Sequence, residues 1–248
     1  MDLFLAEAAG TAILILFGNG VVANVLLNKT AGNGGGWICI TAGWALGVAL
    51  AVYAVGRISG AHLNPAVSLA LYGLEQLDDS LLPQYLAGQQ VGAAIGAVLV
   101  WLAYKYHFDA TDDPVAIRNC FCTGPAIDAP FWNFVTEFIG TAVLIFGILA
   151  IGANAGELPQ GEVDLAKAFS VGVNPLLVGL LVAGIGLSLG GPTGYAINPA
   201  RDFAPRIVHA LLPIAGKGDS GWSYAWIPVA GPFAGAMVGA LLWRVLGL

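Results

Sequence analysis

Charge is what this chain has least of. Of its 248 residues only 9 are Lys or Arg and 15 are Asp or Glu, 10% together, against about 25% in ordinary soluble domains. A sequence so poor in charge, 58% hydrophobic and with a mean hydropathy of +0.80, fits a lipid bilayer and not water. The formal net charge of −6 leaves no basic surface of the kind a nucleic-acid binder needs, which excludes nucleic acid as a partner. Histidine and cysteine are scarce as well. His62, His107 and His209 are scattered, and Cys39, Cys120 and Cys122 make neither a disulfide framework nor a four-ligand metal site. No metal and no cofactor is expected. No nucleophile stands beside a base that could activate it, which sets an integral-membrane enzyme aside. The opening MDLFLAEAAG carries no basic leader and no small-residue cleavage site, so the first apolar run reads as a retained span.

What is abundant is long apolar sequence. A membrane helix needs roughly 20 apolar residues, and six windows qualify: about 3–27, 37–56, 82–104, 131–153, 172–190 and 223–247. Two shorter stretches, PAVSLALYGL (65–74) and PARDFAPRIVHALL (199–212), cover only half a crossing at about 1.5 Å per residue. The expectation is an all-α membrane protein, one domain over 1–248, with six transmembrane helices and two re-entrant half-helices.

The chain also repeats itself. FLAEAAGTA (4–12) matches FVTEFIGTA (134–142), SGAHLNPA (59–66) matches TGYAINPA (193–200), and AGQQVGAAIGAVL (87–99) matches AGPFAGAMVGALL (230–242). Three matches in one order make two copies, about 1–125 and 126–248. Each copy holds three spans, an odd number, so the second enters the membrane from the opposite side. Such an inverted repeat puts broken helices and a solute site near the bilayer midplane. Basic residues do not orient it. With cytoplasmic termini, Arg57, Lys167 and Arg244 lie inside and Lys29, Lys105, Arg118 and Lys217 outside, so the positive-inside rule decides nothing.

Asn is a favoured N-cap and Pro suits the first helical position. Asn64-Pro65-Ala66 and Asn198-Pro199-Ala200 therefore each read as a helix start. In an inverted repeat the two starts face each other at mid-membrane, each with about half a positive charge. They repel cations and leave the Asn64 and Asn198 amides to donate hydrogen bonds to a neutral solute. The preceding residues, Gly60, Ala61, His62 and Leu63 in one copy and Gly194, Ala196 and Ile197 in the other, are expected to run extended with carbonyls turned to the pore. Irregular backbone is tolerated at this depth only along a water-filled cavity or inside protein. Glu7 and Glu137, acids within spans, are candidates for function, a proton relay included. Their equivalent places in the repeat favour a structural role, accepting hydrogen bonds from the re-entrant backbone. Asp202 reads as a local cap or pair near a helix N-terminus.

Six spans, two half-helices and Asn-Pro-Ala twice resemble the aquaporin and glycerol facilitator family over almost the whole chain. In aquaporin-type pores an Arg and the half-helix dipoles exclude protons and cations. The resemblance implies a passive channel whose narrowest ring is Trp44, Gly186, Tyr195 and Arg201. Water-selective members carry His where Gly186 stands, so the ring is expected to be wider here, with Trp44 and Tyr195 as an apolar corner opposite Arg201. Asp202, a basic Arg206 four residues later and Pro228-Val229 are further marks of the glycerol branch, whereas Tyr195 departs from the Phe usual there. The implied solutes are glycerol and similar small neutral polyols, with some water. The implied setting is a homotetramer in a cell membrane, bacterial and cytoplasmic, with cytoplasmic termini. A water-selective channel and a pore for urea, dihydroxyacetone or protonated weak acids stay open. So do an ion-coupled secondary transporter and a non-conducting structural role. Whether residues 109–130 gate or shape the entrance is open too.

Overall fold

The computed structural model describes residues 2–159 and 162–247, with no strand among them. The first copy contains α1 (Leu3–Leu26), α2 (Gly36–Ser59), α3 (Pro65–Gly73) and α4 (Leu82–Ala103). Two short helices, α5 (Lys105–Asp109) and α6 (Pro114–Asn119), lie in the connection. The second copy contains α7 (Pro130–Ala153), α8 (Leu165–Gly172), α9 (Asn174–Leu189), α10 (Pro199–Leu211) and α11 (Ile227–Leu246).

Local chemistry sets the ends. Asp2, Asn64, Asp113, Asp164 and Asn198 each cap a helix by accepting from a first-turn N–H, one of the donors that a helix start leaves unpaired. α2 stops at Gly60, which takes φ 78°, a left-handed turn that glycine adopts without strain. Five helices are long and apolar enough to cross a membrane. The sixth crossing corrects the single helix expected over 172–190. α9 has 16 residues, about 24 Å at helical rise, short of a bilayer core of about 30 Å. α8 supplies the remainder across a 44° bend. Pro175, just inside α9, has no N–H to continue the ladder. The Tyr53 hydroxyl donates to the Gly172 carbonyl at 2.6 Å and holds the bend against α2.

Small residues let the spans close up. Gly88, Gly92 and Gly96 of α4 lie on the α1 backbone, and Gly231, Gly235 and Gly239 of α11 lie on α7 in the same way. A Cβ on Gly96 would stand 2.7 Å from the Ala12 carbonyl oxygen, and one on Gly239 2.6 Å from that of Ala142. α2 and α9 join the two copies. The half-helices then cross over: α3 packs on α11 and α10 on α4, so each copy's broken segment is held by the other copy's last span. Large apolar side chains such as Leu5, Leu50, Leu102, Leu180 and Leu241 face outward, as lipid contact requires.

Candidate functional site

The two half-helices start side by side. Asn64 caps α3 through Oδ1, accepting from Ala66 N at 2.9 Å, while its Nδ2 donates to the Ile197 carbonyl at 2.8 Å. Asn198 does the same for α10: Oδ1 accepts from Ala200 N at 3.0 Å and Nδ2 donates to the Leu63 carbonyl at 2.8 Å. Each amide thus ties its own helix start to the residue before the other. One N–H per Asn remains for a solute. The Leu63 and Ile197 carbonyls each accept one of these bonds.

The segments before the turns are bent, not simply extended. Ala61 and Leu63 take φ 51° and 54°, and Tyr195 and Ile197 take 38° and 43°, a region costly for residues with a Cβ. Two buried carboxylates hold them there. Glu7 Oε1 accepts from His62 N at 3.0 Å and Ser59 Oγ at 2.6 Å, and its Oε2 from Leu63 N at 2.7 Å and Gln89 Nε2 at 2.8 Å. Glu137 accepts from Ala196 N at 2.9 Å and Ile197 N at 2.8 Å. Ser59, Gln89 and Ser68 join this network and were not singled out in the sequence, where a lone Ser or Gln carries no pattern. The His62 ring lies 3.0 Å from Ser68 Oγ through Nδ1 and packs on Tyr85 with centroids 4.2 Å apart.

A cavity of about 270 Å³ runs past these turns. Trp44, Tyr195, Arg201, Asn64, Asn198 and the segment from Gly60 to Leu63 line it, together with aliphatic residues that include Leu14, Val48, Leu144, Ile148 and Val182. The Arg201 guanidinium carbon sits 4.1 Å from the centroid of the Trp44 ring, a cation–π contact. Arg201 Nη2 donates to the Gly194 carbonyl at 3.4 Å, and Nη1 is buried with no partner among the described residues. The Gly194 carbonyl is therefore engaged by Arg201. Those of Gly60, Ala61, His62 and Ala196 receive no donor from the described residues.

Gly186 takes a different place from the one expected. The Tyr195 ring lies against it, and Thr41 closes the same gap, so the room left by the missing side chain is already filled. Gly186 stands behind that ring and is not among the residues lining the cavity. Trp37 completes the corner: its Nε1 donates to the Gly186 carbonyl at 2.9 Å and its ring meets Tyr195 edge-on with centroids 5.7 Å apart.

Asp202 and Arg206, one helical turn apart on α10, form a fully buried ion pair at 2.7 Å. All five Arg206 N–H donors are placed: on both Asp202 oxygens and on the carbonyls of Thr123, Ser220 and Gly221. Asp202 Oδ2 in turn accepts from Thr123 N at 2.7 Å and Thr123 Oγ1 at 2.6 Å. The pair fastens the 120–123 segment, buried at Cys120, Phe121 and Cys122, to the end of the cavity that holds Arg201. Pro65 and Pro199 open α3 and α10.

The profile of the major intrinsic protein family matches residues 1–243. The chain is 55% identical over 246 residues to the probable glycerol uptake facilitator protein of Thermotoga maritima, covering 99% of this chain and 100% of that one. It is 51% identical over 244 residues to the glycerol uptake facilitator protein of Bacillus subtilis, covering 98% and 84%. Among solved structures it is similar to the X-ray structure of the aquaglyceroporin from Plasmodium falciparum, with a TM-score of 0.80 and 27% identity over 98% of this chain and 94% of that one. A profile match over nearly the whole length and relatives above half identity place this multi-pass membrane protein: the chain belongs to the major intrinsic protein family.

Proposed function

We propose that the chain is a passive channel for glycerol and similar small neutral polyols, with water passing alongside and ions and protons excluded. The observation that carries this reading is the cavity's mixed lining: Arg201, Asn64, Asn198 and the re-entrant backbone from Gly60 to Leu63 together with many aliphatic side chains. A polyol has the same mixture, hydroxyls along one edge and carbon along the other. The relatives named for glycerol uptake support the solute. In this reading Arg201 and the Asn pair bind hydroxyls, Trp44 and Tyr195 grade solutes by shape, and Gly186 seats Tyr195. The positive half-helix ends and Arg201 repel cations. A homotetramer in a bacterial cytoplasmic membrane, termini inside, is the assembly that the family resemblance supports.

One observation favours a second reading, a water-selective pore: the Tyr195 ring occupies the room beside Gly186. Stopped-flow light scattering on proteoliposomes separates the two. Reswelling in a glycerol gradient faster than in empty vesicles supports the polyol channel. Fast shrinkage in an impermeant sugar without that reswelling supports the water channel. Neither response returns the chain to a coupled or non-conducting role.

A further inference from the structure

The repeat gives the two ends of the cavity unlike chemistry. Aligned at their Asn-Pro-Ala turns, the copies place Val178, Val52, Ala61 and Val67 in the positions equivalent to Trp44, Gly186, Tyr195 and Arg201. All four of these apolar counterparts line the cavity. A solute that has passed the Asn pair away from Arg201 therefore meets no cationic donor equivalent to Arg201. One helical turn before Val178, on the same side of α9, stands Asn174.

Three features mark that residue. Its amide oxygen is turned inward and the NH2 is the end left open, with no hydrogen-bond acceptor among the described residues. It lines the main cavity and also a second one of about 470 Å³, and Val52 and Gly60 are the other residues the two share. It also opens α9 at the bend that Tyr53 fixes. Arg57, Tyr53 and Ser170 are the other polar residues around the second cavity. Tyr53 donates to Gly172 and Ser170 to Ala166. Arg57 is exposed and makes no ion pair with any described residue.

We propose that Asn174 is a further solute-positioning residue, a polyol station at the mouth opposite Arg201. Its amide NH2 donates a hydrogen bond to a hydroxyl there, and Arg57 offers donors at the rim. The chain would then hold polyols at three polar points along the path, at Arg201, at the Asn pair and at Asn174, of which only the Asn pair is shared by both copies. This rests on the polyol reading above. The test is glycerol and water permeability of proteoliposomes carrying the full chain, normalised to reconstituted protein. Asn174→Ala and Asn174→Val are expected to lower glycerol permeability about three- to fivefold, the weight of one hydrogen bond, with water permeability unchanged. Asn174→Ser, which keeps a hydrogen-bond donor, is expected to recover most of the loss. Tyr53→Phe, which frees the bend and leaves the amide, is expected to keep the wild-type ratio of glycerol to water. A wild-type ratio in both Asn174→Ala and Asn174→Val overturns the station, as does a shifted ratio in Tyr53→Phe. A wild-type chain that passes water but no glycerol overturns the polyol reading itself, so the two failures are distinct.

Discussion

Tyr195 rests on Gly186: a Cβ built on the glycine would stand 2.9 Å from Cζ of the tyrosine, closer than carbon atoms tolerate. The glycine is therefore the seat of the ring and not a gap in the pore. Gly186→Ala should push Tyr195 toward Arg201 and Trp44. Overpacking of this kind costs about 1–3 kcal/mol, so glycerol permeability should fall about tenfold, with water falling less than about twofold. Adding Tyr195→Ala to Gly186→Ala should restore glycerol flux. An unchanged glycerol-to-water ratio in Gly186→Ala, read by stopped-flow, would show that Tyr195 does not border the solute path.

Arg206 acts at a distance from the solute. Arg206→Met removes the cation and leaves the Asp202 carboxylate buried with Thr123 as its remaining donor. Breaking a buried pair from one side costs about 3–5 kcal/mol. The midpoint of thermal unfolding in detergent should drop, and proteolysis should open the segments around Thr123 and Ser220. Arg206→Lys keeps the charge but loses the fork that reaches three carbonyls, so it should recover only part of the loss. Wild-type stability in Arg206→Met would mean that the pair fastens nothing.

The sequence carries much of this architecture because the signals are local. Long apolar runs mark spans, and Asn-Pro marks a helix start wherever it occurs. The repeat adds a long-range check, which is why Glu7 and Glu137 could be paired with the re-entrant segments before any coordinates. The α8–α9 bend was hidden because hydropathy over 172–190 does not register a broken hydrogen-bond ladder at Pro175. Gly186 was misplaced for another reason: its register to Asn198 is legible, but where the Tyr195 ring goes depends on Thr41 and Trp37, from a different helix. Arg206 was visible as a cation in an apolar stretch, while its carbonyl partners come from loops without a pattern.

The thiols give a probe of the 120–123 segment. Cys120 and Cys122 lie in the connection outside the spans and are buried. Burial pushes the Cys122 thiol up to about 12, with the Asp202 carboxylate adding to the effect, and burial raises Cys120 as well. A raised thiol pKa means less thiolate at any working pH. At pH 8 only about one Cys122 in ten thousand is ionised, and the thiolate is the reactive form. A Cys39→Ser variant should therefore resist maleimide at pH 8 when native and take up two labels on unfolding, counted by intact mass. Native labelling at the rate of a free thiol would mean that the 120–123 segment opens.

Glu137 decides between a structural and a proton-carrying carboxylate. Its two oxygens accept from Ala196 N and Ile197 N, beside Tyr195 and Ile197 with their positive φ angles. Gln offers one acceptor there and turns its NH2 toward the other N–H. An unsatisfied buried donor costs about 1–3 kcal/mol, so Glu137→Gln should lower thermal stability by that order. Glycerol and water permeability should fall together as the segment relaxes. A proton relay predicts something else: wild-type glycerol flux would respond to an imposed pH gradient, and Glu137→Gln would remove that response while leaving stability intact. The expected result is a wild-type flux that is the same with and without the gradient, because each oxygen of Glu137 is occupied in holding the backbone that presents Asn198 and Arg201 to the cavity.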